Sequence, residues 1–248
     1  MEYISGKHPV YHLITAERRR VHRLYFQKGL EKQEQGLVTI ASRKKIPFQF
    51  VDAGQLDKKA GAQVSHQGVV AETDPYPYQE IENLWDENHL LVLDEIQDPQ
   101  NLGALCRSAA LFDFGGIIIP ETHAASIGPG ACHASVGAVE YLKIARVSSV
   151  ASVLEILKKK NYWVYGADGN ATKSVEEENF PEKVVLVIGA EEKGLRRLVR
   201  ERCDILLKIP MNREKTGGEI DSLNASVAGG VFLYEIFRQK IKKRRENC

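Results

Sequence analysis

Residues 209–230 read IPMNREKTGGEIDSLNASVAGG and connect an apolar segment typical of a strand to a run of small residues typical of a closely packed helix. Ser222 occupies the place of an N-cap residue, because its hydroxyl can accept a hydrogen bond from a free backbone N–H. Gly229 and Gly230 follow in the predicted helix, where each Gly costs about 1 kcal/mol relative to Ala. This cost predicts that the helix start lies very close to another backbone and to a flat ligand, with Asn224 pointing into that space. Tight helix packing without a ligand is the alternative interpretation.

The composition limits the class of protein and the kind of partner. The chain has 248 residues, enough for one large or two small domains, and a formal net charge of +1. Any nucleic acid must therefore be bound by local basic patches, since the whole chain carries almost no net charge. The four cysteines are scattered without the spacing of a zinc site or a disulfide framework, which is typical of a reducing compartment. Without an apolar run long enough to cross a bilayer, the sequence predicts a cytoplasmic protein with no membrane partner.

Residues 1–73 predict a small α/β domain, and the proline-containing residues 74–88 predict a linker. The hydrophobic spacing predicts a first helix carrying Val10, Leu13 and Ile14, with basic residues at its end that suit the helix dipole. Two further helices are predicted at residues 30–44 and 53–60, and strands at residues 21–27, 47–51 and 68–71.

Residues 89–248 alternate between continuous apolar strands and helical patterns. Strands are predicted at residues 90–93, 116–119, 142–147, 163–166, 184–188 and 205–209, and helices at residues 101–112, 149–160, 195–202 and 222–242. This alternation predicts the α/β class, with a mostly parallel sheet covered on both faces. Ligands of such sheets bind outside the carboxyl ends of the strands, so the loops after the strands are the candidate site.

Two common cofactor sites are excluded by their missing motifs. A dinucleotide-binding turn needs G-x-G-x-x-G directly after a strand, whereas residues 128–133 read GPGACH, with Pro inside the motif and His at its end. No G-x-x-x-x-G-K-[ST] phosphate loop occurs in the chain. The sequence therefore predicts neither a nicotinamide enzyme nor a nucleotide triphosphatase.

Three ordered motifs remain, and together they resemble the SpoU (TrmH-type) branch of the SPOUT RNA methyltransferases. They are NLGALCRSA at residues 101–109, GAEEKG at residues 189–194, and IPM with SLNASVA within residues 209–228. SVGAVE at residues 135–140 also resembles the family's segment before its third strand. The resemblance implies an α/β domain with a deep trefoil knot at residues 89–248, a homodimer, and bound S-adenosyl-L-methionine. GKHPV at residues 6–10 and HQG at residues 66–68 resemble an L30e-like substrate-binding domain.

The resemblance also implies which residues form the site, and it implies no metal. The expected cofactor contacts are Ile188, Gly189, Ile209, Pro210, Met211 and Leu223. The expected catalytic residues are Asn101, Arg107, Glu191, Ser222 and Asn224. In the family the Arg at position 107 is assigned the role of base, but an Arg is normally always protonated, so orienting an RNA phosphate or stabilising a forming alkoxide is the physically easier role. Glu191 is expected to hold Asn101 or a loop N–H rather than to contact the substrate.

The implied reaction is 2'-O-methylation of a ribose in RNA, with a guanosine of 23S rRNA as the first expectation. A ribose in tRNA is the alternative substrate, and a catalytically silent RNA-binding protein is the alternative class. Basic side chains of the N-terminal domain are predicted to contact phosphates, namely Lys7, His8, Arg18, Arg19, Arg20 and Arg23. The loop at residues 212–221 is longer than usual for the family and is expected to alter substrate choice or to act as a lid. The apolar side of the last helix, with Val227, Val231, Tyr234 and Ile241, predicts the dimer interface.

Overall fold

A computed structural model describes residues 1–61, 65–191, 193–212 and 222–246 of the chain. Its residues fall into two compact units. The first unit comprises Met1–Pro77, Leu102–Arg107 and Ser126–Tyr141, and the second comprises Tyr78–Asn101, Ser108–Ala125 and Leu142–Cys248.

The predicted helices and strands occur in the predicted order, and the structure adds a strand at residues 2–5, a short helix at residues 129–134 and a two-residue strand at residues 173–174. The strands are β1 (Glu2–Ser5), β2 (Val21–Gln27), β3 (Phe48–Val51), β4 (Val69–Thr73), β5 (His89–Asp94), β6 (Gly116–Pro120), β7 (Lys143–Val147), β8 (Trp163–Ala167), β9 (Lys173–Ser174), β10 (Val184–Gly189) and β11 (Ile205–Lys208). The helices are α1 (Lys7–Ala16), α2 (Gln35–Arg43), α3 (Ala53–Ala60), α4 (Pro99–Leu111), α5 (Pro129–Ala134), α6 (Val150–Lys159), α7 (Arg197–Arg202) and α8 (Ala225–Glu246). Short 3-10 turns occur at Ile81–Leu84, Ala138–Tyr141 and Val175–Glu177.

The first unit is built on a four-stranded sheet with the order β1-β4-β2-β3. Strands β1 and β2 run antiparallel to β4, and β3 runs parallel to β2 at the edge of the sheet. Helix α3 packs Leu56 and Ala60 against Tyr25 and Val70 on one face of this sheet. Strand β1 was not predicted, because its four residues show too little alternation to be recognised without their partner strand β4.

The end of helix α1 differs from the prediction. The helix ends at Ala16, and Glu17 adopts a left-handed conformation with φ 52°, so the following arginines do not lie at the end of the helix. The side chain of Arg19 is buried, and its Nη2 donates to Oε1 of Glu140 at 2.6 Å. Its Nη1 donates to Oε2 of Glu2 at 2.9 Å. The prediction that Arg19 contacts an RNA phosphate is therefore wrong, because its charge is enclosed by carboxylates of its own unit.

The second unit is built on a seven-stranded sheet with the order β7-β6-β5-β10-β8-β11-β9. Every strand pair in the described part of this sheet is parallel, which confirms the predicted mostly parallel α/β sheet. Helices α6 and α7 pack against Val185 and Val187 of β10, whereas α8 places Phe232 beside Ile188. Since side chains alternate along a strand, these helices cover opposite faces.

The strand order changes direction at β5 and β10, and this position determines where a ligand can bind. The chain proceeds outward from β5 to β6 and β7, then returns to the other side of β5 to form the remaining strands. In open parallel sheets, ligands bind outside the carboxyl ends of the strands where the order reverses. The carboxyl ends of β5 and β10 are Asp94 and Gly189, which lie side by side in the sheet.

The start of helix α8 corrects two predictions. The helix begins at Ala225 and not at Ser222, and the N-cap is Asn224, whose Oδ1 accepts from the backbone N–H of Ser226 at 2.9 Å. At Gly230 an added Cβ would meet only Oγ of Ser108, at 3.9 Å, so close backbone packing does not explain this glycine, whereas Ala225 and Ala228 of the same helix line the cleft described below. No helix in the described ranges is both long and apolar enough to cross a membrane.

Candidate active site

A cleft lies at the carboxyl ends of β8, β10 and β11 and is bordered by the first turns of α8. It encloses about 630 Å³, part of which is open to solvent, and its lining is largely small or apolar. Among the predicted cofactor contacts, the structure brings Ile188, Gly189, Ile209, Met211 and Leu223 into this lining. Pro210 is exposed and does not line the cleft.

One wall of the cleft is a tight reversal of the chain after β10. A Cβ at Gly189 would lie 2.3 Å from the carbonyl carbon and oxygen of Gly194, a distance that no side chain tolerates. Gly194 itself has φ +63° and donates its N–H to the carbonyl of Ala190 at 2.8 Å. Any residue other than Gly at position 189 would therefore displace this wall.

A buried carboxylate fixes the far end of the same segment. Asp94 is fully buried, and its Oδ2 accepts from the backbone N–H of Arg196 at 2.9 Å. Its Oδ1 accepts from Nε of Arg196 at 2.7 Å, and Nη2 lies 2.6 Å away. The segment from Gly189 to Arg196 is thus held at one end by the pairing of β10 with β5 and at the other by Asp94. Sequence reasoning missed this pair, although an Asp ending a strand of apolar residues is a signal for it.

The three sequence motifs meet at Glu191. Its Oε1 accepts from Nδ2 of Asn101 at 3.4 Å and from the backbone N–H of Ala225 at 3.1 Å. Nδ2 of Asn224 also donates to this oxygen, and it donates to Oδ1 of Asn101 at 2.9 Å. The carboxylate lies at the N-terminus of α8, where the helix dipole favours a negative charge. Glu191 therefore holds two asparagine amides and the start of the last helix.

The remaining predicted catalytic residues differ in their positions. Ser222 is exposed and lines the cleft. Arg107 is exposed on α4, and within the described ranges its guanidinium makes no hydrogen bond or ion pair. Arg107 belongs to the first unit, whereas Asn101, Glu191, Ser222 and Asn224 belong to the second. The predicted role of the loop at residues 212–221 lies outside the described residues, apart from Asn212.

A wider polar groove adjoins the cleft. It shares Glu191, Ser222 and Leu223 with the cleft and encloses about 1680 Å³, most of it open solvent space. Its other wall carries Lys193 and Arg200, and Nε of Arg200 lies 2.6 Å from Oδ2 of Asp168. Because Asp168 and Glu191 also line this groove and Arg200 is paired with Asp168, Lys193 is the cation in its described lining that is left for an anionic ligand.

The predicted phosphate-contacting residues lie in the first unit, and some of their side chains already bind partners within the protein. Nζ of Lys7 lies 2.6 Å from a carboxylate oxygen of Glu34, so its charge is already paired. Nε of Arg18 donates to the backbone oxygen of Glu140 at 2.8 Å. The other three predicted residues have exposed side chains, namely His8, Arg20 and Arg23.

Family models match both parts of the chain. The model described as the SpoU rRNA Methylase family matches residues 88–234. The model described as RNA 2'-O ribose methyltransferase substrate binding matches residues 3–79. All three motifs of the candidate site fall within the first of these matches.

Similar proteins extend over nearly the whole chain. The chain is 36% identical to the putative TrmH family tRNA/rRNA methyltransferase YacO of Bacillus subtilis over 96% of both chains. It is 34% identical to the 23S rRNA (guanosine-2'-O-)-methyltransferase RlmB of Pseudomonas putida, over 98% of this chain and 99% of the relative.

Solved structures share the fold. The SpoU methyltransferase AviRb from Streptomyces viridochromogenes superposes with a TM-score of 0.81 at 24% identity, over 98% of this chain and 90% of the other. The complex of AviRb with AdoMet superposes with a TM-score of 0.79 at 24% identity, over 97% and 90% of the two chains.

Replacement of Asp94 tests the role of its carboxylate. In Asp94→Asn, the new amide N–H groups face the donors of Arg196, so we expect the free energy of unfolding to fall by about 1.5–3 kcal/mol, the scale of a hydrogen bond to a charged group. The backbone amides of Gly194 and Arg196 should exchange faster in hydrogen–deuterium exchange mass spectrometry. The control is Asp98→Asn, since Asp98 is an exposed N-cap of α4. Unchanged exchange at Gly194 and Arg196 would contradict the role.

Proposed function

Because the chain belongs to the SpoU rRNA methylase family, we propose that it transfers a methyl group from S-adenosyl-L-methionine to the 2'-oxygen of a ribose in RNA. The observation that carries this proposal is the junction of two features in the second unit. An apolar cleft with a main-chain wall at Gly189 lies directly beside the cluster of Asn101, Glu191 and Asn224. The cleft suits the cofactor, and the polar cluster suits the reacting ribose.

The cleft has the properties that a nucleoside cofactor requires. Its lining is mostly apolar with few polar groups, as in most small-molecule sites. Gly189, Ile209 and Leu223 would hold the adenosine, with Ile188 and Met211 around them, whereas Pro210 lies outside the lining. The bound cofactor supplies an electrophilic methyl group. In the described part of the chain no cluster of His, Cys, Asp and Glu is arranged to hold a metal ion, and we propose a reaction without one.

The polar residues position the ribose and assist the loss of its proton. A 2'-hydroxyl is a poor nucleophile, so the enzyme must align the oxygen with the methyl group and stabilise the forming alkoxide. Glu191 fixes the amides of Asn101 and Asn224. Both N–H bonds of Asn224 are used within this cluster, so the second N–H of Asn101 is the one that can donate to the ribose without reorganising. Ser222 lines the same cleft. We assign Arg107 to the forming alkoxide or to the adjacent phosphate, because a guanidinium remains protonated and cannot readily serve as a base.

The domains follow the two family matches. We propose that residues 1–73 form an L30e-like substrate-binding domain, that residues 74–88 are a linker, and that residues 89–248 form the methyltransferase domain with its trefoil knot. A guanosine of 23S rRNA is the proposed substrate, because similar proteins carry this activity in their names. A tRNA ribose is the second candidate, since other relatives are named tRNA/rRNA methyltransferases. We propose a cytoplasmic location, where the protein would meet either substrate.

Methyl transfer with separate RNA classes tests the reaction and the substrate together. The purified protein is incubated with tritiated S-adenosyl-L-methionine and with transcripts of 23S rRNA, of 16S rRNA or of tRNA. We expect label in 23S rRNA, and mass spectrometry of the digested RNA should place the methyl group on a guanosine ribose. Label in tRNA alone would favour the second candidate. Binding of S-adenosylhomocysteine and RNA without any label would indicate a silent RNA-binding protein.

The role of Arg107 is tested by its rate effect. Arg107→Ala should reduce the single-turnover rate of methylation by about 10² or more, the scale of acid–base or oxyanion assistance. The affinity for S-adenosylhomocysteine should change little, because Arg107 does not line the cleft. Arg107→Lys should restore little of the rate, since a point charge cannot replace a planar guanidinium. Lost cofactor binding with a near-normal rate at saturating cofactor would instead assign Arg107 to the cofactor site.

We further propose that the protein is a homodimer in which α8 contacts a second copy of the chain. Val227, Val231 and Tyr234 lie at spacings of four and three residues on one side of α8 and are 39–52% exposed. Ile241, about two turns further on, is only partly exposed. An exposed apolar stripe of this kind on a long helix is typical of an interface.

Sedimentation at micromolar concentration tests the dimer. The wild-type chain should sediment as a dimer, and Val231→Lys should shift the population to the monomer because it introduces a charge into the apolar stripe. Lys242→Glu, an exposed change on the same helix, is the control and should leave the dimer intact. A wild-type monomer would refute the proposal.

A further inference from the structure

The first unit contains a basic cleft at the ends of α1 and α2. It encloses about 680 Å³ and is lined by Arg18, Arg20 and Lys44, with Ile46 in its wall. Lys44 is paired with Glu17, and Arg18 bonds to a backbone oxygen. Arg20 and the neighbouring Arg43 and Lys45 have exposed side chains, and none of the three forms an ion pair within the described chain. Their charges are therefore available to an external anion.

An exposed aromatic ring comes shortly after a residue of this cleft in the sequence. Phe48 begins the edge strand β3, two residues after Ile46, and its side chain is 38% exposed. Its ring centroid lies 5.9 Å from that of Phe26 and 6.2 Å from that of Phe50, at interplanar angles of 80° and 90°. These edge-to-face contacts fix the ring on a buried neighbour, so it can receive a stacked partner without losing much conformational freedom.

We propose that the cleft and Phe48 bind an unpaired segment of the RNA substrate, with phosphates at Arg20, Arg43 and Lys45 and a base stacked on Phe48. The proposal rests on the proposed function, which supplies the RNA. Aromatic rings beside cationic grooves recognise single strands, because an unpaired base offers its face for stacking whereas a base within a duplex does not. Since the whole chain has a net charge of only +1, RNA must be attracted by such a local patch.

Only some of the basic residues of the first unit belong to this proposed RNA-binding surface. Arg23 alternates along β2 with the buried Leu24, which pairs with Phe48, so Arg23 faces the other side of the sheet. Lys7 is paired with Glu34 and does not line the cleft. Arg43, Lys45 and Phe48 form the new part of the surface.

Binding of a fluorescent oligouridylate of about 20 nucleotides, measured by anisotropy without cofactor, tests the proposal. Arg43→Glu/Lys45→Glu should weaken binding at least 10-fold and should reduce the slope of log K against log salt by about 1.4, at about 0.7 for each phosphate contact on a single strand. Phe48→Ala should weaken binding about 10-fold, and Phe48→Trp should retain it, because stacking needs an aromatic face. The control is Lys32→Glu/Lys58→Glu, two exposed lysines of the same unit in segments that do not line this cleft, whereas Arg43 and Lys45 flank the cleft residue Lys44.

Controls for folding, and the outcomes below, distinguish failure of this RNA-binding proposal from failure of the proposed methyltransferase function. Unchanged affinity for S-adenosylhomocysteine and an unchanged melting temperature show that the variants are folded; if the double Glu variant unfolds, Arg43→Gln/Lys45→Gln replaces it. Oligouridylate binding by the variants that matches the control would overturn the proposal even if methylation is confirmed. An equal loss of affinity for duplex RNA in Phe48→Ala would overturn the stacking. If the wild-type protein methylates no RNA but the variants still lose affinity for the single strand, this RNA-binding surface is supported and the proposed methyltransferase function fails.

Discussion

The reversal of the chain after β10 is the constraint on which the candidate active site depends. Gly189 and Gly194 approach so closely that a side chain at position 189 has no space. This close contact requires the segment from Gly189 to Arg196 to be fixed at both ends. Strand β5 fixes both of them, one through its pairing with β10 and the other through the hydrogen bonds of Asp94 with Arg196. The wall of the cleft is therefore main chain, which lets a flat ligand approach closely.

Glu191 extends this constraint to the rest of the second unit. A single carboxylate oxygen joins the start of α4, the segment after β10 and the start of α8 through Asn101, Asn224 and Ala225. These elements are far apart in sequence, and the carboxylate links their ends at the edge of the sheet. Amides held in this way do not reorganise when a substrate arrives, and this preorganisation is the basis of electrostatic assistance in enzymes.

The sequence predicts the parts of this structure that local pattern determines. Continuous apolar strands such as β5 and β10 identify the parallel sheet, because only strands buried on both faces can lack polar residues. The motif residues Asn101, Glu191 and Asn224 are found by resemblance, and the structure brings them together. The N-cap of α8 could not be predicted, because Ser222 and Asn224 are both suitable caps and Glu191 fixes the second. The pairing of Asp94 with Arg196 spans 102 residues, and the burial of Arg19 requires Glu140 from a distant turn. No local pattern contains either contact.

The position of β10 between β5 and β8 also has a consequence for synthesis of the chain. Strand β5 is synthesised by residue Asp94, but the strand that pairs with one of its edges, residues 184–189, leaves the ribosome much later. During that interval a strand with four consecutive apolar residues, Leu90–Leu93, presents unpaired backbone groups, which is the condition that promotes association between chains. Pairings of such high sequence separation also fold slowly, because the intervening loop must be ordered first. The central strand of the finished sheet is thus synthesised late, and the cleft forms only after β11 and the start of α8 have also been made.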